Sequence, residues 1–428
     1  MPTDASRAYD LVLFGATGFV GRLTAEQLAR RAPHGARIAL AGRSQQRLEA
    51  VRDELPGVAA RWPVLVADSD DAAALAELAQ SARVVVTTVG PYARYGLPLV
   101  EACAAAGTHY ADLTGEVLFM RRSIDAAHEA AQASGARIVH ACGFDSVPSD
   151  LGTLALHREA VARGAGGLTD VEYVVSLVGG VSGGTVASLR EQVAELRRDR
   201  SQIRRVLDPY SLTPDARQEP KLGWQPDLHR PRRGGGARAF RGPFVMGAVN
   251  SRVVRRSNAL SGFAYGRQLR YRESMATGTG VLGALAAAGL LVGIPLVIAG
   301  YWLGPTRRLL DRLLPSPGDG PSEELQARGR FDVTLSAKTE QGGPLQLQIN
   351  ADGDPGYRAT AVMLSEAGLS LAFDGDRLPP AAGVLTPATG IGEPLIERLE
   401  AAGQRYRVVT SCASPAPLDA RTRWISAS

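Results

Sequence analysis

The sequence predicts an α/β fold: a Rossmann-type, doubly wound parallel sheet in the first third of the chain, then a second α/β (α+β) domain with an apolar, membrane-like insertion. Three observations support this prediction. Strand-like and helix-like segments alternate up to about residue 150, a glycine-rich turn follows the first strand, and strand patterns resume beyond a long apolar run. At 428 residues the chain is long enough for two or three domains.

The N-terminal elements follow from the periodicity of the apolar residues. Helices are expected where these residues recur at helical spacing, in 19–31, 96–106 and 117–134. Strands that alternate with helices of this length lie parallel, because each crossover helix returns the chain to the same end of the sheet. The predicted strands are 9–14, 36–41, 62–67, 83–89, 109–113 and 136–141.

The elements after residue 148 predict a second sheet. A helix is expected near 149–163, and the stretch 206–243, rich in Gly, Pro and Arg, is interpreted as a long, mobile loop. The predicted strands are 170–178, 331–338 and 344–351. The further predicted helices are an amphipathic one from the Ser-Gly-Gly-Thr sequence at 182–185 to about 205, one over 356–373 and one over 385–403.

An apolar segment interrupts the second domain. No charged residue occurs in 274–306, and 281–303 is almost continuously apolar, with aromatic residues at its end. About 20 apolar residues span a bilayer core. Sheet-forming sequence on both sides places both ends on one side of a membrane, so Gly293 and Pro295 are expected to break the segment into a re-entrant hairpin or a monotopic anchor. A buried core helix or an oligomer interface is the alternative.

These elements divide the chain into three predicted parts. Residues 1–150 form the first domain, and residues 151–273 with 322–428 form the second. Residues 274–321, the apolar segment with an amphipathic helix, are the predicted membrane attachment. In this division, the C-terminal helix 386–402 can pack back on the first domain.

The first strand runs into a glycine loop that is typical of dinucleotide binding. Residues 9–21 read YDLVLFGATGFVG, so the glycines stand between a strand and a helix. Glycine lets the backbone turn tightly and approach a pyrophosphate, which then meets the free N–H groups and the positive dipole end of the helix. The residues assigned to this loop are Gly15, Ala16, Thr17, Gly18, Phe19, Val20 and Gly21.

The end of the second strand indicates which dinucleotide binds. NAD-binding loops usually carry an acidic residue about 20 residues further on, whereas arginine suits a 2′-phosphate. Here Arg43 and Ser44 follow the strand. We therefore predict NADP(H) as the cofactor, and we also assign Asp68, after the third strand, to its site.

The nicotinamide half should lie at the ends of the later strands, because ligands of open α/β sheets bind outside the carboxyl ends of strands. The fourth strand ends in TTVGPYARYG, in which Gly90, Pro91 and Tyr92 can border the cofactor. The fifth ends in HYADLTGE. The sixth ends in HACGFDSVPSD, from which Gly143 and Phe144 are assigned to the cofactor site.

Two residues at these strand ends are candidates for a catalytic role. Tyr92 offers a hydroxyl and Asp145 a carboxyl, and either could supply a proton; the sequence does not choose between them. Hydride transfer can proceed without a strong enzyme base when the acceptor is activated and the cofactor is well positioned.

Other chemistries lack the residues that they need. A short-chain dehydrogenase requires a tyrosine four residues before a lysine, and neither Lys221 nor Lys338, the only lysines, has one. This scarcity also argues against Schiff-base catalysis. The six histidines show no spacing suited to a metal. We therefore predict no metal site.

The charge of the chain points to the expected partners. The net charge is +5, the basic residues are almost all arginines, and arginines cluster at 197–205 and 230–256. Without zinc spacing or an aromatic-interleaved basic stripe, we expect no nucleic-acid partner. A basic patch facing anionic lipid or an acidic substrate fits better, and a solvated surface is the alternative.

Cysteine usage and the N-terminus point to a location inside the cell. Three scattered cysteines suit a reducing cytosol, and the first ten residues lack a signal pattern. The expected location is the cytoplasmic face of the plasma membrane, as a peripheral or monotopic protein, or the cytoplasm if the apolar segment is buried.

The motifs in order resemble the saccharopine dehydrogenase-like oxidoreductases, closest to the branch of trans-acting enoyl reductases in actinobacterial lipid synthesis. The resemblance covers about 9–160 strongly and 182–185 and 352–373 more loosely; it rests on FGATGFVG, AGRS, TTVGPYARYG, YADLTGE, CGFDSVPSDLG and GDPGYRATA. It implies an NAD(P)-binding domain and a second domain that contributes substrate contacts and often dimerises. For this branch it implies reduction of a carbon–carbon double bond in a polyketide or fatty-acyl intermediate of complex lipids. The segment 143–148 departs from the GxDPG-like loop of the true saccharopine enzymes.

Three functional hypotheses remain open at this point. The leading one is an NADPH-dependent reductase of a lipid or polyketide intermediate at the inner face of the membrane, with an acyl carrier or polyketide synthase as a partner. The second is a saccharopine-type amino-acid dehydrogenase, which would want a compact arginine cluster in its pocket. The third is a non-catalytic NADP-binding sensor or membrane-associated scaffold.

Overall fold

Within the residues described by the computed structural model, the strands form two seven-stranded sheets. Those residues are 7–178, 183–223, 225–228, 232–234, 239–314 and 328–409. The strands are β1 (Tyr9–Phe14), β2 (Ile38–Gly42), β3 (Val64–Val66), β4 (Ala82–Thr87), β5 (His109–Ala111), β6 (Arg137–Val139), β7 (Leu168–Val178), β8 (Arg232–Gly234), β9 (Ala239–Pro243), β10 (Arg270–Gly278), β11 (Arg330–Thr339), β12 (Leu345–Asp352), β13 (Gly383–Leu385) and β14 (Arg405–Val409).

The helices connect these strands and cover the sheets. They are α1 (Phe19–Arg31), α2 (Gln45–Asp53), α3 (Ala72–Ser81), α4 (Tyr92–Ala106), α5 (Val117–Ser134), α6 (Val147–Ala162), α7 (Gly183–Arg198), α8 (Gln202–Leu207), α9 (Gly247–Leu260), α10 (Gly280–Trp302), α11 (Gly304–Leu313), α12 (Thr360–Phe373), α13 (Pro387–Gly390) and α14 (Glu393–Ala401). The bounds of β1, α1 and α5 are the same as those predicted from the sequence.

The first sheet is parallel throughout, which confirms the predicted doubly wound fold. Its strand order is β13-β6-β5-β4-β1-β2-β3. The chain moves from β1 to β2 and β3 on one side and then crosses to β4 on the other side. The order reverses between β1 and β4, so the carboxyl ends of these two strands border the crevice in which ligands of such sheets bind.

The C-terminal part of the chain returns to this first sheet. β13 pairs with β6 in parallel, with Val384 beside Ile138. α12 packs on α1, where Glu366 forms a salt bridge with Arg31 at 2.7 Å. At Gly368 a Cβ atom would lie 2.4 Å from a methyl group of Val86 in β4. Thus α12 and β13, which the sequence analysis assigns to the second domain, complete the layers around the first sheet.

The second sheet is mixed, and its order is β14-β12-β11-β7-β10-β9-β8. β7 and β10 are parallel, and the other neighbours are antiparallel. α6 lies on one face: a Cβ atom at Gly152 would meet Leu335 and Ile349 at 3.0 Å. Since α6 begins just after the end of β6, this helix joins the second sheet to the ligand crevice of the first.

Three buried arginines on α9 order part of the stretch that was expected to be a mobile loop. Arg252 forms a two-pronged pair with Asp227, with 3.1 Å for each contact. Arg255 donates to the Pro209 carbonyl at 3.3 Å, and Arg256 donates to the Leu212 carbonyl at 2.5 Å. The guanidinium groups satisfy turn carbonyls, so this part of the arginine cluster forms no basic surface patch for a lipid or substrate, and the expectation of one is wrong here.

The apolar segment forms one continuous helix, α10, which runs through Gly293 and Pro295 without a break. Within the described ranges it is the one helix long and apolar enough to cross a membrane. Its first half packs on β9, where a Cβ atom at Gly242 would meet Ala287 at 3.1 Å. Most of its side chains are exposed, with Leu282 at 78%. The helix therefore lies along the second domain with an apolar face open, rather than inside the core.

Candidate cofactor and active site

The turn after β1 needs glycine for steric reasons. Gly15 has φ +91°, and a Cβ atom there would lie 2.8 Å from both the Thr88 hydroxyl and a methyl group of Val89. Its N–H donates to the Ala41 carbonyl at 2.8 Å, and its carbonyl accepts from the Thr88 hydroxyl at 3.0 Å. These contacts hold the turn against the ends of β2 and β4, at the mouth of the crevice.

The other two glycines meet different demands. A Cβ atom at Gly21 would lie 2.1 Å from the Gly15 carbonyl, so α1 can approach β1 this closely only with glycine there. Gly18 is exposed, and a Cβ atom there would contact the Gly15 carbonyl only, at 3.4 Å. No described side chain caps α1 at Gly18. The space over Gly18 and the uncapped first turn of α1 fit a pyrophosphate.

The remaining loop residues surround this space. The Ala16 side chain is buried, Thr17 and Val20 are half-buried, and the Phe19 ring packs edge-on against Tyr357 with ring centres 4.9 Å apart. Tyr357 belongs to a π-helical turn just before α12. A segment more than 300 residues further along the chain thus supports the predicted cofactor loop.

The residues predicted for the 2′-phosphate end lie at the carboxyl ends of β2 and β3. Arg43 is exposed and forms no ion pair within the described part of the chain. Ser44 caps α2 by accepting from the Arg47 N–H at 3.5 Å. Asp68 is exposed and accepts from the Asp70 N–H at 3.1 Å. The geometry leaves the Arg43 guanidinium available for a phosphate.

We expect Arg43→Ala to weaken NADPH binding by about tenfold or more, because a charge-assisted contact contributes about 1.5–3 kcal/mol. NADH, which lacks the 2′-phosphate, should bind the variant as it binds the wild type. Fluorescence titration with both dinucleotides measures this difference. Arg30→Ala, at the exposed far end of α1, is the control; equal weakening of both dinucleotides by Arg43→Ala would contradict the assignment.

Tyr92 points into the protein in this structure. Its hydroxyl donates to the Thr87 carbonyl at 3.1 Å, and its ring stacks on Phe119 with centres 5.8 Å apart. Burial raises the pKa of this phenol well above its usual value. The hydroxyl holds the loop Gly90–Pro91 against β4, and that hydrogen bond would have to break before Tyr92 could donate a proton to a substrate.

Glu116 stabilises the start of α4. The sequence analysis did not assign this residue to the site. Its carboxylate accepts from the N–H groups of Tyr92 at 3.1 Å and Ala93 at 2.6 Å. It also accepts from the Ser188 hydroxyl of α7 at 2.7 Å. One buried carboxylate therefore joins the nicotinamide-side loop of the first domain to a helix of the second. The YADLTGE motif signalled a polar strand end, but not this partner.

A second buried network shapes the turns after β5 and β6. The Asp112 carboxylate accepts from the Tyr110 hydroxyl at 2.9 Å and lies 2.8 Å from His140 Nδ1. His140 Nε2 lies 2.7 Å from the Ser123 hydroxyl. Asp112 also accepts from the N–H of Ala141, a residue held at φ +63°. All four side chains are buried, so the network positions these turns and does not face the crevice.

Asp145 differs from these carboxylates because it has no partner. Phe144 is anchored by its N–H to the Thr360 hydroxyl at 3.1 Å, and a Cβ atom at Gly143 would meet Thr360 at 3.2 Å. Asp145 follows directly, is half-buried, and makes no hydrogen bond or ion pair with any described residue. Burial raises the pKa of its carboxyl to about 6. It can therefore hold a proton at mildly acidic pH.

A chain of buried polar side chains lies beside Asp145. The Ser146 hydroxyl donates to Asn250 Oδ1 at 2.8 Å, and Asn250 Nδ2 donates to Glu273 at 2.9 Å. Glu273 also accepts from the hydroxyls of Ser149 and Tyr271, each at 2.6 Å. Burial raises the pKa of Glu273 to about 7. The network ties the start of α6 to β10 and so fixes the backbone that carries Asp145.

Comparisons with known proteins show which family this chain is similar to. Residues 11–139 match the family model described as the saccharopine dehydrogenase NADP binding domain. A trans-acting enoyl reductase of Mycobacterium ulcerans is 47% identical over 411 residues, which cover 94% of this chain and 98% of that protein. A Mycobacterium tuberculosis protein, provisionally named a trans-acting enoyl reductase, is 51% identical over 411 residues, which cover 94% and 97%.

Among solved structures, apo saccharopine dehydrogenase (L-Glu forming) of Saccharomyces cerevisiae has the same fold. Its TM-score is 0.52 at 13% identity, over 94% of this chain and 99% of that one. The fold and the glycine loop thus define an NADP(H)-binding oxidoreductase of the saccharopine dehydrogenase-like class. Within that class, the chain belongs to the trans-acting enoyl reductase family.

Proposed function

We propose that this protein reduces the carbon–carbon double bond of an enoyl thioester that a separate carrier presents to it. NADPH held at the Gly15–Gly21 loop would supply a hydride to the β-carbon, and the electron pair of the double bond would take a proton at the α-carbon. The names of the relatives suggest the reaction class. The observation that carries the proposal is Asp145, an unpartnered carboxyl at the end of β6, beside the loops assigned to the cofactor.

Asp145 is the proton donor in this proposal. Its raised pKa keeps part of the population protonated near neutral pH, as general-acid catalysis requires. The anchoring of Phe144 to Thr360 and the Ser146–Asn250–Glu273 chain hold the backbone on both sides of it. Tyr92, the other candidate, already donates its hydroxyl proton to a backbone carbonyl.

The amino-acid dehydrogenase hypothesis fits less well. A carboxylate-rich substrate would need a compact cluster of free guanidinium groups in the pocket, but the three clustered arginines of α9 bind protein carbonyls and side chains. A scaffold without catalysis would have no use for an unpartnered carboxyl of raised pKa beside the cofactor loops. These points favour a neutral, activated acceptor such as an enoyl thioester.

The test is an assay with the full-length protein, NADPH and a 2-enoyl thioester on coenzyme A or a carrier protein. Mass spectrometry should find a product with two more hydrogen atoms, and NADPH should be consumed in equal amount. NADPH labelled with deuterium at the transferred position should leave the label on the β-carbon. Binding of NADPH without any reduction of enoyl thioesters would refute the proposal.

We further propose that α10 and α11 attach the protein to the cytoplasmic face of an anionic membrane. Their exposed leucines form an open apolar face, with Leu285 and Leu296 both 63% exposed and Leu313 71% exposed. Arg308 and Arg312 of α11 are exposed beside this face. Apolar area together with basic residues is what binds a helix at a lipid interface. An apolar lipid or polyketide intermediate would then be reduced where it is made.

We expect Leu285→Glu with Leu296→Glu to release the protein from phosphatidylglycerol vesicles in a co-sedimentation assay. Each buried leucine contributes about 1.5–3 kcal/mol, so the partition coefficient should fall by about tenfold or more for each change. Val58→Glu, at an exposed apolar position in the first domain, is the matched control. Unchanged sedimentation of the double variant would exclude attachment through α10.

A further inference from the structure

A charged cleft of about 490 Å³ lies between the first domain and α7. Its lining consists of Ala93, Arg94, Arg122, Glu191, Glu195 and Arg198. The first two residues come from α4, the third from α5 and the last three from α7. Because charged side chains dominate the walls, the cleft suits a polar or ionic part of a ligand and not an acyl chain.

The cleft opens beside the predicted nicotinamide side of the active site. Arg94 is two residues beyond the start of α4, about 3 Å along the helix axis, and α4 begins directly after Gly90–Pro91. The opposite wall is held in place, because Ser188 of α7 and the Ala93 N–H share the Glu116 carboxylate. The two walls of the cleft are therefore fixed relative to each other beside the start of α4.

The charges in the cleft leave one guanidinium free. Arg122 pairs with Glu195, and Arg198 pairs with Glu191 at 2.8 Å. Arg94 forms no ion pair with any described residue, and its guanidinium stacks over the Tyr95 ring at 5.0 Å. Three arginines and two glutamates give the lining a net charge of +1. Stacking restricts the motion of this exposed side chain, which lowers the entropy cost of binding an anion.

We propose that the cleft binds the phosphate of a phosphopantetheine arm, with Arg94 as its ligand. This inference rests on the proposed function, because such an arm carries acyl thioesters. A guanidinium binds a phosphate through paired, charge-assisted hydrogen bonds. With the phosphate at Arg94, the thioester end of the arm extends past α4 towards Asp145 and the cofactor loop. The phosphate can belong to a carrier protein's arm or to coenzyme A, which share this chemistry.

The test is calorimetric titration of the full-length, NADP⁺-bound protein with pantetheine 4′-phosphate and with unphosphorylated pantetheine. We expect the phosphorylated compound to bind about tenfold more tightly, and Arg94→Glu to abolish that difference while pantetheine binding stays unchanged. Arg217→Glu, an exposed position outside the cleft, is the charge-matched control and should behave as the wild type. Titration with enoyl-coenzyme A and, separately, with an enoyl-carrier protein then distinguishes the two sources of the phosphate.

Equal affinity of the wild type for both compounds, or an unchanged preference in Arg94→Glu, would overturn the proposal. So would a result in which Arg94→Glu weakens binding to phosphatidylglycerol vesicles but not to pantetheine 4′-phosphate, since the arginine would then serve a lipid headgroup. The titration does not depend on catalysis. A protein that binds the arm through Arg94 but reduces no enoyl thioester would refute the proposed function and retain this site.

Discussion

Asp145→Asn is expected to lower kcat for enoyl reduction by about 10²–10⁴-fold, the usual contribution of a general acid. An amide has the same shape as the carboxyl but cannot deliver a proton. Burial raises the pKa of Asp145 to about 6, and its protonated form is the active one. The kcat of the wild type should therefore fall as the pH rises through about 6. Stopped-flow measurement of NADPH oxidation should show that the kcat of the variant does not fall over this pH range.

Asp150→Asn provides a matched control for that result. Burial raises the pKa of Asp150 to about 6 as well, but this carboxylate accepts from the Ser257 hydroxyl and from the Ala388 N–H at 2.8 Å. The control variant should have a lower melting temperature, because it loses a link to α13, and should keep kcat and its pH dependence. If both variants lost activity in parallel, Asp145 would be a structural residue only.

Gly18→Ala and Gly21→Ala are expected to have different effects: the first weakens NADPH binding, and the second lowers the stability of the fold. At Gly18 a Cβ atom fits the free protein, with its nearest contact at 3.4 Å, but it fills space assigned to the pyrophosphate. This variant should keep its melting temperature and bind NADPH about tenfold or more weakly. At Gly21 the Cβ atom would lie 2.1 Å from the Gly15 carbonyl, so α1 must shift, at a cost of about 1–3 kcal/mol.

Differential scanning calorimetry and NADPH titration together measure both effects. Gly343→Ala, in the turn between β11 and β12, serves as the matched control, since a Cβ atom there would meet no atom within 4 Å. A Gly18→Ala variant with unaltered NADPH affinity would show that the cofactor does not approach this part of the loop.

The features that could be predicted from the sequence are local ones. β1, α1 and α5 have the predicted limits because periodicity and flanking glycines act over a few residues. The glycine loop was equally accessible, since three glycines between a strand and a helix are a local pattern, although the contacts that require glycine at Gly15 come from the distant Thr88 and Val89. The assignment of Arg43 is also a local one, because it rests on the position of this residue directly after β2, and it stays a prediction.

The features that sequence reasoning missed depend on distant segments. Nothing near Glu116 indicates that Ser188 will donate to it, and nothing near Asn250 indicates Glu273. Glu273 left no signal either, since it stands directly after Arg272 in a segment for which no strand was predicted. The arginines of α9 were misinterpreted as a surface patch because composition does not report burial; their side chains became interior when the turns at 206–223 supplied carbonyl acceptors.

The return of β13 to the edge of the first sheet has a consequence for biosynthesis. β6 finds its outer neighbour only when residues 383–385 have been made, after most of the chain. Until then the nascent first domain exposes an unpaired strand edge, which is a template for aggregation. The cofactor-binding half is thus among the first parts to be translated and among the last to be completed. A fragment ending near residue 150 should be poorly soluble, whereas the full chain closes its own edge.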